Sequence, residues 1–137
     1  MPLFLSKKPS MQDQGLFEYA VIRVVPKVER EEFFNVGVIL FAKKKKFLGI
    51  RYALDPRKLE AFNAAVESED IEQYLKGFEH ICQGAASGGP IAKLDQPSRF
   101  RWLTAARSTI IQCSKVHPGF CNDPAEALEK LFQSLVG

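Results

Sequence analysis

The residues of this chain whose types could do chemistry fall in two blocks. The first holds Arg23, Arg30, Glu32 and Asn35, and the second holds Arg107 and His117 with Cys113 and Cys121. A guanidinium presents a planar fork of N–H donors that matches a phosphate or a carboxylate. Arg23, Arg30, Asn35, Arg107 and His117 therefore form a candidate anion site, on the condition that the fold brings both blocks to one end of a sheet. Plainer roles compete for each. Arg23 can pair with Glu18 or Glu32, Arg30 and Glu32 can be solvated, and His117 can satisfy turn backbone.

Cys113, His117 and Cys121 stand at C-x3-H-x3-C, three ligands that zinc accepts. Pro118-Gly119 prevents the helix that would align them and no fourth ligand lies nearby, so no metal and no cofactor is expected. A Cys-His nucleophile needs an orienting third group, and His117 has only the distant Asp123. Glu29, Glu31 and Glu32 sit in an alternating-charge connection that reads as solvent-facing rather than as an acid-base pair. His80 borders the apolar stripe of a helix and is assigned no role. Lys43 to Lys46 could grip phosphates, but a lysine-rich hairpin tip is more simply an aggregation-resistant loop. Ser87-Gly88-Gly89-Pro90 lacks the Gly-Lys-Ser/Thr of a nucleotide loop and reads as a linker.

The elements that must position these groups follow from composition and pattern. At 137 residues, 46% apolar and 26% charged, the chain has the size and make-up of one globular domain with one core. No apolar run approaches the roughly 20 residues of a membrane helix, and the start has no signal-peptide core, so a cytoplasmic protein is expected. Three cysteines without paired spacing argue against a disulfide framework. The net charge of +3 hides an asymmetry: residues 1–58 carry 12 Lys/Arg against 6 Asp/Glu, the remainder 7 against 10. That excess points only weakly to nucleic acid, because four consecutive lysines supply much of it.

Residues 1–15 lack periodicity and read as a flexible leader, with a single α+β domain over 16–137. Leu16 to Val25 is apolar on both faces, as a central strand is, and Pro26 should end it. Lys27 to Glu32 is a charged connection with room for one helical turn. Phe34 to Ala42 and Phe47 to Leu54 make an antiparallel hairpin, in a register that pairs Ala42 with Phe47, Ile39 with Ile50 and Gly37 with Tyr52. A slip by one residue would break the face made by Ile39, Phe41, Leu48, Ile50 and Tyr52. Helices are expected near 56–66, capped by Asp55, near 70–83, ended by Gly84, and near 124–135, capped by Asp123. Ala85 to Pro97 is an irregular stretch, Ser98 caps a short helix through Leu103, residues 107–113 form a fourth strand, and Val116 to Gly119 are a turn. No internal repeat is present.

The combination Phe17-Glu18-Tyr19, Arg23, Pro26, Arg30, Glu32 and Asn35-Val36-Gly37-Val38, followed by Arg107-Ser108-Thr109 and His117-Pro118-Gly119, resembles the bacterial domain-of-unknown-function family 3037. The resemblance runs from about Leu16 to Leu135 and implies no activity. It does imply a protein partner, since members of that family are associated with neighbouring HipA-like kinases. The chain itself has no Gly-rich phosphate loop and no Asp-Phe-Gly. The expectation is thus a non-catalytic binding or accessory module partnering a HipA-like kinase. The alternative is a small enzyme or nucleic-acid-processing domain that uses Arg23, Arg107 and His117 on a phosphate-bearing substrate.

Overall fold

The computed structural model describes residues 15–27, 32–61, 68–107 and 109–137. Apolar on both sides, β1 (Gly15–Lys27) lies inside an antiparallel sheet. β2 (Glu32–Ala42) runs along one of its edges, and β4 (Ile111–Cys113) and β5 (His117–Cys121) run end to end along the other. β3 (Phe47–Tyr52) pairs with the far side of β2 in the expected register, Ala42 opposite Phe47, Ile39 opposite Ile50 and Gly37 opposite Tyr52. A Cβ on Gly37 would lie 2.8 Å from both Tyr52 Cβ and the Arg51 carbonyl oxygen, so this crossing needs glycine.

Alternation along the strands gives the sheet two apolar faces, and helices cover both. α1 (Pro56–Ala61), α2 (Ser68–Gln83) and α3 (Gln96–Thr104) pack Leu59, Ile71, Leu75, Phe78, Phe100 and Leu103 against Ile22, Val24, Val36 and Ile39. α4 (Pro124–Leu135) packs Leu128 and Phe132 against Phe17, Val38 and Leu40. Arg51 fastens β3 to α4 through Glu129 at 2.9 Å and lies over the Phe132 ring. The fold is α+β, with five strands where four were expected.

The largest differences from expectation lie on the outer edge of β1. The fourth strand begins at Ile111 rather than 107, which leaves Arg107 outside it. The residues expected as a turn continue alongside β1 as β5. Ser114 makes this possible: its N–H donates to the Val21 carbonyl at 2.8 Å while its Oγ accepts from the Val21 N–H at 2.8 Å. The hydroxyl stands in for a backbone carbonyl where the ladder takes one extra residue, three steps along β1 from Ile22 to Tyr19 matching four from Cys113 to His117. Pro118 is tolerated because β5 is an edge strand with one unpaired side.

Pro26 does not end β1, because pairing with β2 skips from Val24 to Lys27 and its missing N–H is not needed. α2 starts at Ser68, and Gly84, at φ 69°, ends it as expected. α3 is longer than anticipated and is capped by Asp95, whose carboxylate accepts from the Ser98 N–H at 2.9 Å. Two short 3-10 turns, Ala86–Gly88 and Pro90–Lys93, replace the irregular stretch before it. The leader apart from Gly15, the connection 28–31 and the end of the first helix at 62–66 lie outside the described residues.

Candidate functional site

The fold divides the five-residue anion set. Phe34 and Val36 point into the cluster under α1 to α3, so Phe33 and Asn35 point to the α4 face, as does Arg23 between Ile22 and Val24. Arg23 and Asn35 are cross-strand partners, and the Arg23 guanidinium lies 4.2 Å above the Phe33 ring. Asn35 Nδ2 donates to the Leu135 carbonyl at 3.0 Å, while Arg23 Nε and Asn35 Oδ1 are buried without a hydrogen-bond partner. Arg30 lies outside the described residues.

Arg107 is on the other face. It caps α3, donating from Nη1 to the Leu103 carbonyl at 3.0 Å and from Nη2 to the Trp102 carbonyl, and its plane lies 4.4 Å over Trp102 and 5.7 Å from Phe78. His117 is exposed on β5 and leans on Tyr19, ring centroids 5.4 Å apart. Arg23 with Asn35, Arg107, and His117 thus occupy three separate places. Cys113 packs with the α1 to α3 cluster, whereas His117 shares the α4 face with Tyr19, so the C-x3-H-x3-C side chains do not converge. Among the described residues no three His, Cys, Asp or Glu side chains gather as metal ligands. Burial pushes the Cys82 thiol up to about 12, against the opposing pull of Arg99. Burial likewise pushes Cys113 up to about 11, although Arg107 and Arg23 both favour its thiolate. Thiols held neutral in this way are poor nucleophiles.

A groove of about 710 Å³ runs between α2 and α3, lined mainly by Ile71, Tyr74, Gly77, Phe78, Trp102 and Ile110. Tyr74 is 47% and Trp102 38% exposed, a large aromatic surface to leave in water. Asp70 lines the groove near the start of α2, and Arg107 stacks on two residues of its wall, Trp102 and Phe78. The periodicity of α2 places 70, 74, 77, 78 and 81 on one strip, and Gly77 opens its middle.

A family model for proteins of unknown function, DUF3037, matches residues 19–136. The chain belongs to that family. Neither the curated proteins nor the solved structures yield a match to it. Membership in DUF3037 carries no activity with it, so the chemistry must be read from the side chains. Among the described residues no helix is long and apolar enough to cross a membrane.

Sequence reasoning about this DUF3037 chain passed over Gly77 and Trp102. The helical period sets Tyr74 and Phe78 on one apolar stripe, yet Phe78 is buried and Tyr74 is not. The available signal was a glycine in the middle of an otherwise strongly amphipathic helix. Arg99, buried and donating to the Ile81 carbonyl at 3.3 Å, also went unnoticed; it ties α3 to the end of α2 and so fixes the groove walls.

Proposed function

We propose that this chain is a non-catalytic accessory module that docks a partner protein in the groove between α2 and α3. The observation that carries this reading is Gly77. A glycine inside a helix costs about 1 kcal/mol relative to alanine, and a Cβ here would meet nothing within 4 Å, so packing does not require it. What the missing side chain provides is an open floor between Tyr74 and Phe78. Trp, Tyr and Arg dominate binding surfaces, and Trp102, Tyr74 and Arg107 supply one of each.

The occupant is an apolar segment with an acidic side chain for Arg107 and a basic one toward Asp70. The HipA-like kinase implied by the resemblance is the candidate partner. Three unpaired thiols accord with a cytoplasmic location for the pair. Calorimetric titration of that kinase, from the same host, into this chain tests the reading. Trp102→Ala and Gly77→Leu, each checked for native circular dichroism, are expected to weaken binding at least about tenfold. Unchanged affinity in both would remove the groove from the account, and no heat at all would remove this partner.

The enzyme alternative draws on one observation, the buried unpartnered Nε of Arg23. Against an anion there stand the C-terminal carbonyls of α4, which already draw Asn35, and the distance in the fold to Arg107 and His117.

A further inference from the structure

The four-lysine turn between β2 and β3 is held to one shape. The Lys46 N–H donates to the Lys43 carbonyl at 3.1 Å, and Gln96 Nε2, in the first turn of α3, donates to the Lys46 carbonyl at 3.0 Å. Lys46 has φ 52°, a left-handed conformation that no other non-glycine residue adopts among the described residues. Glycine or asparagine would take it more readily. The left-handed Lys46 and the two hydrogen bonds of its backbone fix where the lysines of the turn project.

Lys43 and Lys44 line one side of a hollow of about 320 Å³, and Pro97 and Arg101, one helical turn apart on α3, line the other. Leu16 and Phe41 contribute apolar surface, and Glu18 is the one carboxylate in the lining. The register sets Phe120 opposite Leu16, and these two side chains are 43% and 50% exposed. The two lysines and Arg101 thus face one another across the hollow, and Phe120 lies one strand over from its Leu16 wall.

We propose that this hollow binds single-stranded nucleic acid, with Lys43, Lys44 and Arg101 on phosphates and a base stacked on Phe120. An extended strand can turn its phosphates into a concavity and splay a base onto a ring. A duplex keeps its bases inside, and a bilayer presents a plane of headgroups that does not enter a hollow. This surface is separate from the α2–α3 groove, and either proposal can fail without the other.

The test is fluorescence anisotropy of the full chain with a short labelled single-stranded oligonucleotide of mixed sequence, at increasing salt. Three phosphate contacts give a slope of log K against log salt of about −2. Lys43→Glu, Lys44→Glu and Arg101→Glu combined, on exposed positions that leave circular dichroism unchanged, should abolish binding. Phe120→Ala should weaken it about 5-fold or more at an unchanged slope. Three results would overturn the proposal: no binding of the oligonucleotide at low salt, binding that survives the triple reversal, or tighter binding to duplex DNA, polyglutamate or phosphatidylserine vesicles.

Discussion

Arg101 and Trp102 are neighbours in sequence and sit on opposite flanks of α3. One faces a basic hollow at the end of the sheet, and the other forms a wall of an apolar groove against α2. About 100° of helical rotation per residue is enough to separate two surfaces of different physics. A ligand in the groove gains by removing aromatic area from water and feels salt little; a ligand in the hollow is held by charge and is screened beyond roughly 10 Å at 0.1 M salt. The contrast teaches that one short helix can be the shared wall of two sites whose binding responds to different conditions.

The sharpest way to break the contrast is at Gly77 inside α2 and Gly84 just past its end. Gly84 holds φ 69°, and a Cβ there would run into Arg99 Nη1, the atom that joins α3 to α2. Gly84→Ala is expected to lose about 2–4 kcal/mol in urea unfolding, from left-handed strain plus overpacking. Gly77→Ala, seven residues earlier, should gain about 1 kcal/mol, since its Cβ enters open space. A loss at Gly77 would show that packing requires it, and the groove reading would lose its main support.

A smaller effect separates the two arginines. Arg107→Ala removes two hydrogen bonds to the last carbonyls of α3 and a stacked cation from Trp102 and Phe78, and should cost about 1–3 kcal/mol by the same measurement. Arg101→Ala, on an exposed position, should change stability by no more than about 0.5 kcal/mol. Equal costs would mean that both arginines are structural and that the hollow has no cation to spare.

Much of the fold was legible because its signals are local. The hairpin register follows from alternation and from Gly37, a glycine that the Tyr52 side chain can cover. Asp123 and Gly84 mark helix ends by chemistry visible in the chain. β5 was not legible, because His117-Pro118-Gly119 has turn composition and only the Ser114 hydroxyl, bonded to a residue 93 positions away, carries the strand onward. For the candidate site the same limit applies. Arg23 and Asn35 meet because the strands pair, but Arg107 is drawn off by carbonyls of its own helix end and by two rings, and residue type alone does not foretell that competition. The groove was hidden for a related reason: Tyr74 and Phe78 fit one apolar stripe, and only the position of α3 decides which of them is covered.

The thiols offer the finest probe of the two flanks. Cys113 lies on the groove side, its Sγ donating to the Leu103 carbonyl at 3.4 Å, while Cys121 packs on the α4 face, where Lys45 partly offsets the rise that burial gives its pKa. At pH 9 an unperturbed thiol is about half ionised, whereas one at about 11 is about 1% ionised. Iodoacetamide should therefore label Cys121 first and Cys113 and Cys82 at least about 50-fold more slowly than a free thiol. A thiol whose folded pKa is raised contributes stability below its unfolded value near 9, and that contribution fades as pH climbs toward about 11 for Cys113 and about 12 for Cys82. Cys113→Ala should accordingly flatten the alkaline loss of stability between those limits, read by urea midpoints at successive pH values. Fast labelling of Cys113 at neutral pH would mean that the packing of β4 against α3 opens often enough to expose it, and the groove proposed for a partner would then be one that forms on binding.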